Sequence, residues 1–371
     1  MELHAERHGN PFVSSVAQQS RNTRYLDAST PWVAPLRSAR TGLWSSVLVA
    51  TVFLCPLPSA ATELKLAKQF SMGYVQFNIL EHQRLIEKHA KALGLDDVKV
   101  SWVTFNGPDA MNMALLSGDV DVVAGGVPGL LTLWAKTKGT AHEVRGVSAL
   151  SSQPFLLNTR NPAVKTIRDF TDASKIALPA VKVSIQAVVL QMAVAKAYGK
   201  DNYAQLDHLT MSLSPPDATI GLISGGGAYD SVFSVPPFQN QQLTYPNIHT
   251  VLNSFEVMGG PHSMTVAWTS RKFHDGNPKL YKALVEALDE ATRILNADKR
   301  AAAALWIEDS KSKLSNDMVY GILSNAQVKY TLIPENTMKF ATFMHEVGTI
   351  KVAPTSWKDY FFPEIHDLAG S

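Results

Sequence analysis

The chain has 371 residues, a formal net charge of +2 and 46% apolar residues, which is a composition typical of globular proteins. These values exclude collagen-like, coiled-coil and wholly disordered chains, and the near-neutral charge argues against nucleic acid as a partner. The length favours two domains. The single cysteine, Cys55, excludes an intramolecular disulfide and any zinc site that needs several cysteines.

The first 61 residues carry the pattern of a leader followed by a signal peptide. Arg37 and Arg40 precede an apolar run at 43–54, and Ser59-Ala60-Ala61 places small residues at the end. This order of basic, apolar and small residues is typical of a secretory signal peptide, so we expect cleavage after Ala61 and a periplasmic protein. A retained signal anchor and a lipid on Cys55 are the alternatives. Residues 1–36 indicate either a disordered leader or a start codon placed too early.

Removal of this segment changes the chemistry open to the protein. The remaining 310 residues hold 29 basic and 29 acidic side chains and no cysteine. A chain without a thiol cannot use a cysteine nucleophile or a thiol redox motif.

The segment from 62 to 150 alternates between strand and helix patterns. In chain order we predict a strand at Leu64–Phe70, a loop at Ser71–Gln76, a helix capped by Asn78 and ended by Gly94, a strand at Val98–Phe105, a helix from Pro108 to Gly118, a strand at Val120–Ala124 and a glycine turn at 125–129 that leads into a helix. Asn78 and Glu81 have the spacing of a capping box. Repeated units of this kind predict a parallel sheet covered on both faces.

A second block of the same kind follows, and helices end the chain. We predict strands at Lys175–Leu178, Leu206–Leu213 and Tyr229–Val235 and near Val251, with helices that begin at Ser184 and Pro215. After the extended segment Ser263–Thr269, the pattern predicts helices only. Two extended segments, Val147–Thr159 and Ser263–Thr269, connect the blocks. We therefore predict lobe I at 62–150 plus 265–371, lobe II at 155–260, and a ligand cleft between them.

Several motifs occur in an order that is typical of one family. They are the helix–Ser-Gly-Asp–strand–Gly-Gly-x-Pro stretch Ala114–Pro128, the loop and helix start Val181–Gln186, the strand Tyr229–Pro237 and the returning strand around Thr265. From about 64 to 366 the chain resembles the substrate-binding proteins of ABC importers of the nitrate, sulfonate and taurine type, which share their fold with thiamine-pyrimidine synthases.

The resemblance implies an α/β fold, the two-lobed periplasmic binding protein of type II with two hinge crossovers. It implies capture of a small anionic or heterocyclic solute (sulfonate, nitrate, taurine or pyrimidine-like) by hinge closure, and delivery to an inner-membrane ABC permease with its ATPase. A monomer without a cofactor or metal, and without catalytic activity, is expected.

Ligands of open α/β sheets lie outside the carboxyl ends of the strands, which selects the candidate ligand-binding residues. Gly125 and Gly126 allow close backbone approach, or form a plain tight turn. Ser184 and the helix that it begins make an anion site, or Ser184 is an ordinary cap. The candidate set is Ser71, Gly73, Tyr74, Gln76, Asn106, Gly125, Gly126, Val127, Ser152, Gln153, Ser184, Ile185, Gln186, Phe233 and Ser234.

Two other classes of function stay open at this point. One is a pyrimidine-precursor synthase on the same scaffold, although the cysteine-rich iron motif of those relatives is missing here. The other is a periplasmic sensory module that presents its ligand to a membrane receptor. The chain has no His-Glu-x-x-His, Gly-x-Ser-x-Gly or Gly-x-x-x-x-Gly-Lys motif, which argues against the common hydrolase and nucleotide sites.

Overall fold

The computed structural model describes residues 62–371, which build two mixed β-sheets connected by two chain crossings. The predicted signal peptide and Cys55 lie outside the described residues. The strands are β1 Thr62–Lys68, β2 Val98–Thr104, β3 Val122–Gly125, β4 Val144–Ser152, β5 Leu156–Thr159, β6 Ile176–Leu178, β7 Thr210–Ser212, β8 Ser231–Ser234, β9 His249–Asn253, β10 Ser263–Ser270 and β11 Lys329–Tyr330.

Helices cover the sheets and follow most of the strands. They are α1 Val75–Gln83, α2 Leu85–Ala92, α3 Pro108–Ser117, α4 Val127–Thr137, α5 Ile185–Tyr198, α6 Pro215–Ser224, α7 Phe238–Gln242, α8 Ser254–Met258, α9 Arg271–Gly276, α10 Pro278–Ala297, α11 Lys299–Ser310, α12 Asn316–Leu323 and α13 Thr337–Glu346. None of the helices between residues 62 and 371 has the length and apolar character that a membrane crossing requires.

The first sheet has six strands in the order β11-β4-β10-β3-β1-β2, and the second has five in the order β7-β6-β8-β5-β9. Within each sheet, the strands of the strand–helix units are parallel: β1 with β2 and β3, and β6 with β7 and β8. The parallel pairing predicted for the strand–helix units is therefore confirmed. The sheets as a whole are mixed, because β10 runs antiparallel to β3 and β4, and β5 runs antiparallel to β8 and β9. The strands beside the crossings reverse direction as the chain passes between sheets.

Two apolar clusters form most of the core. One lies between the first sheet and the long amphipathic helix α10, and it includes the fully buried Leu284, Leu288 and Phe77. The other continues from the first sheet into the second, since Leu130 of α4 and Val188 of α5 belong to the same buried cluster. The two sheets are therefore held together by apolar packing as well as by the crossings.

Three predicted elements differ in the structure. Asn78 lies inside α1 and does not cap it, because a 3-10 turn at Met72–Tyr74 begins the helical segment earlier, with Ser71 as its cap. The helix predicted to run on to Gly94 is broken at Arg84, whose φ of 51° is left-handed and separates α1 from α2. The predicted strand Leu206–Leu213 is reduced to β7, because a 3-10 turn occupies its first half.

The prediction that only helices follow the second crossing is also wrong. Lys329 and Tyr330 form β11, which pairs with Ser152 and Ser151 at the edge of the first sheet. A strand of two residues has no periodicity of its own, so only its partner strand identifies it.

Candidate functional site

A small cavity of about 40 Å³ lies where the two sheets meet at the carboxyl ends of their strands. Gln69 follows β1, Pro179 follows β6 and Val235 follows β8. Met264 and Thr265 lie near the beginning of strand β10. The chain places its loops here because parallel strands end at the same edge of a sheet.

Four helices begin at this cavity. Its lining includes Pro108, the first residue of α3, Gly126, the N-cap of α4, Ser184, the N-cap of α5, and Pro215, the first residue of α6. The N-terminal end of a helix carries partial positive charge and unpaired N–H groups, so the convergence favours a negatively charged group.

The beginnings of α4 and α5 differ from the other two because they carry no acidic residue in the first turn. Asp109 and Asp217 occupy that turn in α3 and α6 and offset the dipole there. Among the described residues, the backbone N–H groups of Ile185 and Gln186 have no hydrogen-bond acceptor. The strongest positive potential from helix ends therefore lies at α4 and α5.

The side chains around the cavity are uncharged, since the lining has no Asp, Glu, Lys, Arg or His. Burial raises the pKa of Tyr74 far above its usual value, so its phenol stays neutral and keeps its proton to donate. Its hydroxyl makes no hydrogen bond to another described residue. Neutral donors and helix ends, instead of a cationic side chain, are the groups available to a solute.

The two sides of the cavity touch each other at its rim. Pro236, in the loop after β8, accepts hydrogen bonds through its carbonyl oxygen from the N–H of Met72 at 2.9 Å and from Ser71 Oγ at 3.2 Å. A Cβ atom on Gly126 would lie 2.7 Å from Cβ of Ile185, and one on Gly107 would lie 3.0 Å from the carbonyl oxygen of Pro179. The loops from the two sheets are therefore in direct contact at this rim.

The structure brings six of the fifteen predicted site residues to the cavity wall: Ser71, Tyr74, Gly126, Ser184, Ile185 and Gln186. Ser184 uses its hydroxyl locally, donating to the carbonyl oxygen of Ala180 at 2.7 Å and accepting from the N–H of Ala187 at 3.3 Å. Its influence on the cavity is therefore exerted through the helix that it caps.

Three predicted residues lie directly behind the wall. Gly73 packs against β10, where a Cβ would lie 2.4 Å from Thr265 Oγ1. Gly125 packs against Trp268 in the same way, and Val127 is fully buried in α4. These residues allow the backbone of the wall to pack closely, and do not themselves line the cavity.

Five further predicted residues are buried near the crossings. Gln76 donates through Nε2 to the carbonyl oxygen of Leu150, and Phe233 packs with its ring 5.2 Å from that of Phe155. Gln76, Ser152, Gln153 and Ser234 each keep a buried side-chain oxygen without a hydrogen-bond partner among the described residues. Asn106, the last of the set, is exposed and lies outside the cavity wall.

Sequence reasoning missed residues that only the meeting of the sheets brings into place. The sequence pattern places Gln69 and Phe70 at the end of a strand, and Thr265 in the second segment that connects the blocks. The position of Gln69 just after β1 is the one local signal that identifies it. The remaining missed residues of the wall are Pro108, Gly129, Pro179, Val183, Pro215, Val235 and Met264.

Comparison with known proteins finds no sequence-family profile that matches the chain, and no curated protein matches it in sequence. Solved structures do match. The alkanesulfonate-binding protein SsuA from Xanthomonas axonopodis pv. citri, solved bound to MOPS, gives a TM-score of 0.62 at 18% identity, covering 80% of this chain and 96% of its own. The periplasmic nitrate-binding protein NrtA from Synechocystis PCC 6803 gives 0.61 at 16% identity, covering 81% and 84%.

The periplasmic aliphatic sulphonate binding protein SsuA from Escherichia coli gives a TM-score of 0.57 at 16% identity, covering 79% of this chain and 95% of its own. The fold is that of the periplasmic binding proteins. This confirms the predicted α/β class with two lobes and two crossings.

The cavity without charged side chains, at the N-termini of the helices, lies in the cleft between the two sheets of this fold. No group of three or more His, Cys, Asp or Glu side chains within residues 62–371 is arranged to hold a metal ion.

Proposed function

We propose that this protein is the solute-binding component of an ABC importer and that it captures a small anionic or heterocyclic solute in the cleft. The observation that carries the proposal is the convergence of α4 and α5 N-termini on a cavity without charged side chains, in a fold shared with sulfonate- and nitrate-binding proteins. Sulfonate, nitrate, taurine and pyrimidine-like compounds are the solute classes to test.

The residues proposed to contact the solute are the predicted ones that reach the cavity wall. Ile185 and Gln186 offer backbone N–H groups, and Ser71, Tyr74 and the side chain of Gln186 offer polar atoms from opposite sides of the cleft. An oxyanion accepts hydrogen bonds on every face, which suits donors that converge from several helices.

Closure of two lobes around the solute is part of the proposal. The lobes are residues 62–150 plus 265–371 and residues 155–260, each built around one of the sheets. A solute held by groups from both lobes binds the closed state more tightly than the open state, and this difference drives closure. The closed complex then docks on an inner-membrane permease powered by an ATPase, and the protein acts as an exported monomer in the periplasm.

Calorimetric titration tests the proposal with nitrate, methanesulfonate, taurine and a hydroxymethylpyrimidine as separate probes. We expect saturable binding of at least one probe, together with a smaller radius of gyration in small-angle scattering when the probe is present. Absence of binding across the whole panel, with no change in radius, would contradict solute capture. Uptake of the bound probe by cells that carry the gene, compared with cells that lack it, then separates transport from sensing.

A further inference from the structure

The cavity continues into a second, larger space, which only two of the predicted site residues, Ser71 and Tyr74, help to line. This groove has a volume of about 570 Å³ and shares Gln69, Phe70, Ser71 and Tyr74 with the cavity. A molecule seated at the helix N-termini therefore has room to extend past these four residues without leaving the protein surface.

Aromatic side chains form both walls of the groove. Trp102 of β2 and Trp306 of α11 come from the side of the first sheet, and Phe238 of α7 comes from the side of the second. Trp102 is held in place by Phe77, whose fully buried ring meets it edge-on at 5.4 Å. Rings fixed in this way bind a flat partner at little entropic cost.

The floor of the groove carries a cluster of three charges. Lys68 Nζ lies 3.2 Å from Glu81 Oε2 and 3.4 Å from Asp309 Oδ2, with only 12% of its side chain exposed. The same ammonium group lies 5.7 Å from the ring centre of Trp102. One lysine between two carboxylates leaves a net negative charge, so an anionic group is disfavoured here and favoured at the helix ends.

One further charge lies at the mouth of the groove. Lys313 is exposed and forms no ion pair with another described residue. Water screens an exposed ammonium strongly, so it does not reverse the sign of the partly buried cluster of Lys68, Glu81 and Asp309.

We propose that the groove is the outer compartment of the solute site and that the solute is an anion joined to a flat aromatic ring. The inference rests on the proposed function, since it takes the cavity as the anion site. The anionic group lies at the N-termini of α4 and α5, and the ring lies between Trp102 and Phe238. Because these two residues come from opposite sides of the cleft, the ring itself favours the closed state.

Paired titrations test this with methanesulfonate, which carries only the anionic group, and benzenesulfonate, which adds the ring. We expect benzenesulfonate to bind the unaltered protein at least about tenfold more tightly, which corresponds to one good aromatic contact and its buried area. Trp102→Ala and Phe238→Ala should each remove most of that advantage and leave the affinity for methanesulfonate unchanged. Tyr245→Ala is the matched control, because Tyr245 is an exposed aromatic residue that does not line the groove.

The outcomes separate this inference from the proposed function. Equal affinities for the two probes, or an advantage that survives both substitutions, overturns the outer compartment while solute capture stands. Failure of both probes to bind overturns the anion site and the inference with it. Because Trp102 is partly buried, the fluorescence of the unaltered protein gives a second measurement. Quenching or a spectral shift with benzenesulfonate but not with methanesulfonate supports the placement of the ring, and identical spectra contradict it.

Discussion

His262 and Ser254 tie together the two crossings of the chain. Nε2 of His262 accepts a hydrogen bond from Ser254 Oγ at 3.0 Å, and the same hydroxyl oxygen accepts from the N–H of Phe155 at 3.0 Å. Phe155 lies directly before β5, where the first crossing ends, and His262 lies directly before β10, where the second crossing ends. The other ring nitrogen, Nδ1, faces the carbonyl oxygen of Ser263 at 3.1 Å and therefore carries the proton. A neutral imidazole with one defined tautomer thus connects the segments about which the lobes would move.

This imidazole makes stability depend on pH. Burial lowers the pKa of His262 to about 4, and the positive charge of Lys339 acts in the same direction, while the Ser263 carbonyl and Glu335 oppose it. In the unfolded chain this imidazole takes up a second proton near pH 6.5, whereas in the folded chain it stays neutral down to about pH 4. The free energy of unfolding therefore falls as the pH is lowered from about 6.5 to about 4. The loss reaches about 3 kcal/mol at the lower end.

Urea unfolding at several pH values measures this effect. The free energy of unfolding should decrease between pH 6.5 and 4.5, and His262→Gln should flatten that slope, whatever it does to stability at pH 8. His208→Gln is the control, because the side chain of His208 is exposed and pairs only with the exposed Asp172 among the described residues. An unchanged slope in His262→Gln would contradict the assignment.

Gly126 lies where the two sides of the cleft approach each other closely. Its φ of −70° and ψ of 148° are open to any residue, so alanine adds no backbone strain. The new methyl group would instead lie 2.7 Å from Cβ of Ile185 on the other side. Overpacking of this kind costs about 1–3 kcal/mol, and only in the closed state, so Gly126→Ala should weaken solute binding by about tenfold or more with little change in stability.

Titration of the variant with whichever probe binds the unaltered protein measures the loss of affinity. Gly321→Ala is a suitable control, because a Cβ at Gly321 meets no atom within 4 Å. Unchanged affinity in Gly126→Ala would show that solute binding does not need the approach of Gly126 to Ile185.

Ser184 should affect both stability and binding, whereas a similar cap elsewhere should affect stability alone. Ser184 caps α5 at the cavity, and Ser315 caps α12 away from it by the same hydrogen bond to the third residue of the helix. Loss of either hydroxyl should lower the free energy of unfolding by about 1 kcal/mol. Only Ser184→Ala should also weaken anion binding, by several-fold, because the first turn of α5 loses its fixed geometry.

Thermal unfolding and calorimetry on the two variants give both quantities. If Ser315→Ala weakens binding as much as Ser184→Ala does, the effect is global, and α5 has no special part in holding the solute.

Gly146 gives the C-terminal segment its place on the first sheet. The N–H of Phe362 donates to the carbonyl oxygen of Gly146 at 2.8 Å, and a Cβ at Gly146 would lie 2.2 Å from the fully buried ring of Phe361. Because a buried ring cannot move aside freely, Gly146→Ala should destabilise the protein by about 1–3 kcal/mol.

The midpoint of urea unfolding measures this loss, and faster proteolysis after residue 350 locates it. Gly276→Ala, at a position where a Cβ meets nothing within 4 Å, should leave both unchanged. A stable Gly146→Ala variant with a protected C-terminus would show that the segment repacks around the methyl group.

The sequence alone predicted the elements that carry local signals. The proline at 108 and the glycine at 118 delimit α3, and Ser184 begins α5, because helix ends depend on the residues that satisfy their own free N–H and C=O groups. The fold class followed from the alternation of these elements. Asn78 shows the limit of such signals, since its capping spacing was overruled by the earlier start at Ser71 and by its contact with Asp309.

What the tertiary structure decided is which distant residues meet. Thr265 reaches the cavity, and Trp306 lines the same groove as Trp102, through strand order and helix packing that no local pattern encodes. The direction of β10 and the existence of β11 likewise depend on partners more than 100 residues away in sequence. The sequence by itself thus determined the strand–helix units and the loops at their ends. Only packing of the two sheets decided which of those loops face one another, because that depends on contacts between residues far apart in the chain.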